Sequence, residues 1–266
     1  DQFFIGQKIG ELGNAATNIA FPLSMSCLAI ALMFGIGGSS AFNISMGQGD
    51  KKLATKYMGN AAVMLFLCGL VLCLVTEGFL TPLLKFFGSP ERVLPLAKEY
   101  TRITAIGFPL LILSTGGGHL VRADGRPKMT MVCNLTGAVI NTVLDALFVF
   151  GFDWGMSGAA IATVIGQFVS AMLAVYFLAH CKSTVVQREH LMLDGKLIRR
   201  IMSLGMAPCS NQLAMMVVQI VMNNSLKYYG ALSHYGEEIP IACSGVINKV
   251  NMLFMSFVIG ISCLLY

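Results

Sequence analysis

Charge is scarce in this sequence. Asp, Glu, Lys and Arg make up 12% of its 266 residues, against about 25% in an ordinary soluble domain. With 56% hydrophobic residues and a mean hydropathy of +0.73, water is excluded as the main solvent. Cysteine pairs are also missing. The eight cysteines, at 27, 68, 73, 133, 181, 209, 243 and 263, never form a CxxC pair and mostly fall inside apolar runs. That disfavours disulfide scaffolds and zinc sites and leaves reduced packing thiols. The four histidines, at 119, 180, 190 and 234, are scattered, so no metal cluster is expected. No His and Glu are paired for a metal, and no Ser and His stand as nucleophile and base, which argues against an intramembrane enzyme. A filter-like loop at membrane depth is absent, against a channel. No arrangement of n-region, h-region and cleavage site marks a signal peptide.

What the sequence has instead is long uncharged runs. A bilayer core takes roughly 20 apolar residues per helix. Leu12 to Gly49, Tyr57 to Thr76, Trp154 to Cys181 and Ile201 to Leu226 meet that length without Asp, Glu, Lys or Arg. Three more spans are read with a polar interruption or a slightly short run: Ile103 to Val121 with His119, Met129 to Phe150 with Asp145, and Ile239 to Tyr266 with Lys249. The opening Asp1-Gln2-Phe3-Phe4-Ile5-Gly6-Gln7 is apolar and too short to cross, so it reads as the tail of a clipped helix. The expected fold is an all-α integral membrane bundle that threads the bilayer about eight times.

Alternating spans sort the connecting loops into two sets. One holds eleven Lys and Arg (51, 52, 56, 122, 126, 128, 182, 188, 196, 199 and 200), the other six (8, 85, 92, 98, 102 and 227). The richer set marks the cytoplasmic side. This topology accounts for the net charge of +5 without any nucleic-acid partner. Cys181 to Arg200 alone is long, polar and basic enough to link two halves, which sets a boundary near residue 190. A slide of 225 positions lays Gly35-Ile36-Gly37 on Gly260-Ile261-Ser262 and Phe3-Phe4 on Tyr228-Tyr229. Two six-span repeats would share one orientation.

The informative residues are the polar ones inside spans. An ionised carboxylate at the depth of Asp145 costs about 3 kcal/mol or more unless it is paired or protonated. Asn141 lies four residues earlier on the same helical face. Thr163, in the next span, could complete the pocket, and Asp1 sits at a compatible depth. Two carboxylates in a poorly solvated pocket can take a proton, or can neutralise a monovalent cation held by oxygen ligands. Gln212, Gln219 and Asn223 share one face of their span and, with Lys249, are candidates to line a cavity or to bond between helices. Met202, Met206, Met215, Met216 and Met222 offer an adaptable apolar surface.

At these residues the sequence resembles the multidrug and toxic compound extrusion family. The likeness runs through Asp1-Gln2-Phe3-Phe4-Ile5-Gly6, Gly47-Gln48-Gly49-Asp50, Val121 to Lys128, Ile140 to Asp145 and Gly158 to Thr163. It implies a twelve-span fold in two six-helix lobes. Residues 1–185 would form most of the N-terminal lobe, from the tail of helix 1 through helix 6. Residues 186–266 would hold the cytoplasmic linker and helices 7 and 8 of the second lobe, so that the fold is truncated at both ends. In one branch of the family an Asp on the first helix, an Asn and an Asp four apart on the fifth, and a Thr on the sixth bind a cation. Asp1, Asn141, Asp145 and Thr163 match those positions. Other branches place an acid on the seventh helix, where this sequence has Gln and Asn. The Asp145-Ala146 step lacks the Pro that often follows the Asp.

The resemblance thus implies a secondary transporter, not an enzyme, with no cofactor. It would export amphipathic, often cationic, drugs or toxic compounds against inward flow of protons or sodium. It would act as a monomer in the cytoplasmic membrane, with both termini of the complete protein inside the cell. The nearest rival is a lipid-linked oligosaccharide flippase of the same wider fold. That activity would want a large cationic cavity, and Lys249 is the lone intramembrane cation to serve it.

Overall fold

A computed structural model describes residues 2–181, 192–232, 236 and 238–265, with the backbone alone given for 2 and 256–265. The regular structure of the described residues is all helical, in the order α1 (Gln2–Lys8), α2 (Glu11–Gly47), α3 (Lys51–Gly78), α4 (Leu80–Phe86), α5 (Leu94–Ile106), α6 (Phe108–Ala123), α7 (Pro127–Ala146), α8 (Gly155–Ala179), α9 (Gly195–Ala231) and α10 (Glu238–Leu265). A bilayer offers no water to satisfy backbone groups, so helices that bond internally are the economical solution for an uncharged chain.

Five of these helices are long and apolar enough to cross a membrane, or six if α5 and α6 form one span. Those two meet at a bend of 55°, at Gly107 before the Phe108-Pro109 start of α6. The expected span Ile103 to Val121 is therefore two helices. Its first half begins nine residues earlier than the apolar run does, because α5 is amphipathic. It buries Ala97, Thr101, Thr104 and Ala105 and keeps its charges on the other side. The expected Ile239 to Tyr266 span is helical over Glu238–Leu265.

Patterning runs inside out relative to a water-soluble bundle. On α7 the outward stripe Val132, Leu135, Val139 and Val143 is apolar and exposed, whereas Asp145 is fully buried. On α3, Phe66, Leu70, Val71 and Leu74 face outward in the same way. Lipid tails are as apolar as these side chains, so exposure costs nothing there. Association must come from close packing and polar contacts instead. Small residues supply the packing. A Cβ on Gly205 of α9 would run into the Met33 carbonyl of α2, and α2 and α9 form the most extensive helix pair in the bundle.

The turns follow local chemistry. Gly49 adopts φ 82, and Asp50 then caps α3 by accepting from Leu53 N at 2.9 Å. Asp194 caps α9 in the same way through Lys196 N at 2.9 Å. Asn60 of α3 holds the approach to α9 from both sides. Its Nδ2 donates to Met192 O at 3.1 Å and its Oδ1 accepts from Asp194 N at 2.9 Å. At the opposite end Phe148, Phe152 and Trp154 stack with ring centroids 5.2–6.0 Å apart, beside the Lys8–Asp153 ion pair at 2.9 Å. The amphipathic indole of Trp154 is of the kind that favours the membrane–water interface.

Candidate functional site

The meeting of Asn141 and Thr163 depends on a glycine contact. A Cβ on Gly166 of α8 would stand 2.8 Å from the Gly137 carbonyl of α7 and 2.9 Å from the Asn141 Cβ. Only glycines allow α7 and α8 to close to this distance, the small-residue packing expected within a membrane. Ser170 adds a tie by donating to Cys133 O at 2.9 Å. With the helices this close, Asn141 Nδ2 reaches Thr163 Oγ1 at 3.5 Å. Thr163 itself donates back to Ala159 O at 2.9 Å.

Asp145 lies one turn beyond Asn141 on the same face and is fully buried. Immediately after Ala146 the helix widens into a π-helical turn, Leu147–Gly151. Pi-helical turns of this kind are frequent at functional sites. Tyr100, on α5, completes the group. Its side chain hydrogen bonds with Thr163 and lies near Asp145. Ser157 ties α8 to α5 at the rim by donating to Glu99.

The structure brings Asn141 against Thr163, and places Tyr100 beside both Thr163 and Asp145. Asp1 lies outside the described residues. Tyr100 is the residue that sequence reasoning missed. It belongs to α5, whose Lys98, Glu99 and Arg102 made the segment look like a loop, although the period of its buried small residues was the available signal. Asn141 and Thr163 open onto a polar cavity of about 270 Å³ between α6, α7 and α8, lined also by Ser114, Thr115 and Asn134, and Asp145 lies buried behind them. Carboxyl, amide, hydroxyl and phenol oxygens form a donor set suited to a proton or a hard monovalent cation. Among the described residues no three His, Cys, Asp or Glu come together for a metal of another kind, and the seven described cysteines are free.

The second group of candidates sits elsewhere. Gln219 and Asn223 of α9 are buried between helices. Asn223 Oδ1 accepts from Asn18 Nδ2 at 3.3 Å and from Gln219 Nε2 at 3.0 Å. Asn248 of α10 donates to Gln219 Oε1 at 3.2 Å, and Asn18 also donates to Ile241 O at 3.1 Å. These amides bond α2, α9 and α10 to one another rather than facing an open space. Gln212 donates to the Met25 sulfur. Lys249 Nζ stands 4.7 Å above the Phe21 ring, a cation–π contact between α10 and α2.

Comparison with known proteins adds a lineage to this geometry. A family model described as MatE matches residues 1–147. The chain is 31% identical over 182 residues to an FAD transporter of Shewanella oneidensis, covering 67% of this chain and 40% of that protein. It is 24% identical over 266 residues to the multidrug export protein MepA of Staphylococcus saprophyticus, covering 93% of this chain and 59% of that protein. Among solved structures, the MATE multidrug transporter DinF-BH in complex with R6G aligns with a TM-score of 0.86 at 26% identity, over 96% of this chain and 56% of that one. The chain thus spans between two-fifths and three-fifths of the length of these relatives. Their names are those of transporters and drug exporters, which does not favour the flippase alternative.

Proposed function

The chain belongs to the MatE family, and from that premise we propose that the whole protein is a secondary active exporter of amphipathic, often cationic, compounds, driven by inward movement of protons or sodium. The observation that carries this reading is the fully buried Asp145 grouped with Asn141, Thr163 and Tyr100 inside an apolar bundle. A carboxyl group held at that depth has no structural use that an apolar side chain would not serve better. A site that can be neutral or charged has a use in exchange.

Asp1, Asn141, Asp145 and Thr163 are the proposed cation site, with Tyr100 added to them. Binding of the driving ion there would favour the state that releases cargo outward. The coupling works only if ion and cargo prefer the two access states differently. Residues 1–185 are assigned to the N-terminal lobe, and 186–266 to the linker and the first two helices of the second lobe. The excess of Lys and Arg on one set of loops supports a cytoplasmic linker, and the protein is taken to work as a monomer in the cytoplasmic membrane.

The test is Asp145→Asn in the full-length protein reconstituted in vesicles, with sodium and pH gradients imposed separately. Export of a cationic dye should fall at least tenfold while the protein remains monodisperse. Unchanged gradient-driven export would sink the assignment. Running FAD beside the dye separates the two cargo classes that the relatives' names suggest.

A further inference from the structure

Thr163 and Gln167 form a wall shared by two cavities. On one side is the polar cavity of about 270 Å³ between α6, α7 and α8. On the other, between α2, α5, α6 and α8, is a small, partly enclosed one of about 40 Å³, whose polar lining is Ser24, Tyr100, Thr101, Thr104, Thr163 and Gln167. Two atoms at this second cavity have no hydrogen-bond partner among the described residues. Thr101 is fully buried, and its Oγ1 has no hydrogen-bond partner. The Oε1 of Gln167 is likewise buried without a partner. That oxygen lies in the elbow of the bent α5–α6 span, 2.5 Å from where a Cβ on Gly107 would stand.

Buried hydroxyl and amide groups are costly to leave unsatisfied, and proteins commonly satisfy them with internal water. One water needs roughly 10–15 Å³ of such space and two to four polar partners. The cavity exceeds that volume and offers hydroxyl, phenol and amide groups that can donate or accept. Among the described residues, none of its lining side chains is a carboxylate, so its lining favours a neutral guest.

We propose that the small cavity is a water-binding site, and that Thr101 and Gln167 are positioning residues which use this water to orient the Tyr100–Thr163 pair beside Asp145. The site would continue the polar network from α7 across α8 to the face of α2. Through that water, the geometry of the ion site becomes sensitive to the packing of α2 against α5.

The inference rests on the reading of Asp145 as the ion site, and its test separates the two. In a high-resolution structure of the full-length protein, a water should bridge Thr101 Oγ1 and Gln167 Oε1. Thr101→Val, nearly isosteric, should remove it, and Thr101→Ser should keep it. In transport assays Thr101→Val and Gln167→Met should raise the half-saturating concentration of the driving ion about fivefold. The KM for the exported dye should change less than twofold, and Thr101→Ser should behave as the parent. Absence of the bridging water, a sodium ion in its place, or an unshifted ion dependence in Thr101→Val would overturn the proposal. If Asp145→Asn exports normally while the water is present and lost in Thr101→Val, the ion-site reading fails and the hydration site stands.

Discussion

Asn18 on α2 and Asn223 on α9, 205 positions apart in sequence, meet side chain to side chain at 3.3 Å. Around them Gln219, Asn248 and the Ile241 carbonyl complete an uncharged clasp. It joins the helices assigned to the two lobes. Hydrogen bonds between transmembrane helices average about 0.6 kcal/mol and reach about 1.7 kcal/mol. The two bonds that Asn223 accepts should therefore contribute about 1–2 kcal/mol together. We expect Asn223→Leu to lower stability by that amount, read from reversible unfolding in mixed micelles. Because every member of the clasp is neutral, the loss should be the same at pH 6 and pH 8.

Gly166 sets the distance between Asn141 and Thr163. Any larger side chain there must displace the Gly137 backbone or the Asn141 stem, an overpacking that costs about 1–3 kcal/mol. Cysteines introduced at 141 and 163 in a cysteine-free background should cross-link readily. Gly166→Leu should suppress the cross-link while the protein stays in the membrane. Efficient cross-linking in that variant would mean that the glycine pair does not position the site.

The phenol of Tyr100 hydrogen bonds with Thr163, so Tyr100→Phe removes one polar contact and little volume. A single such bond corresponds to about 0.5–1.5 kcal/mol, or roughly a twofold to twelvefold effect. The expected outcome is a rise of that size in the half-saturating concentration of the driving ion, with dye KM unchanged. Equal loss in both would point to a general packing defect instead.

These cases also show what the amino-acid order reveals by itself. Asp145, Asn141 and Thr163 stand out because each is polar within an apolar run, and the i, i+4 spacing of the first two fixes a common face. Tyr100 does not stand out. Its neighbours Lys98, Glu99 and Arg102 raise the local polarity, and an amphipathic half-span bent by 55° at Gly107 has no uninterrupted apolar run to announce it. Asn18 and Gln167 are hidden for another reason. Both lie in spans already accounted for by hydropathy, and their partners sit on helices distant in sequence or across a cavity. Periodicity gives the face of a helix, whereas the pairing of faces depends on where small residues let backbones approach.

Asn60 provides a prediction away from the ion site. It is almost wholly buried in α3, yet both ends of its amide engage backbone groups just before α9: Met192 O at 3.1 Å and Asp194 N at 2.9 Å. Met192 itself is largely exposed, so this amide, and not side-chain packing, fixes the chain at that point. Asn60→Leu keeps the branching and the number of heavy atoms, with somewhat more bulk, and deletes both bonds. It also strands the Asp194 N–H one residue before the helix that Asp194 caps. The outcome expected is faster tryptic cleavage at Lys196, by about tenfold if the two bonds together hold the segment with roughly 1.4 kcal/mol. Cleavage at Lys128, at the start of α7, gives the internal standard, because no contact of Asn60 reaches that helix. An equal increase at both sites would signal general loosening and would remove Asn60 from the role of anchor.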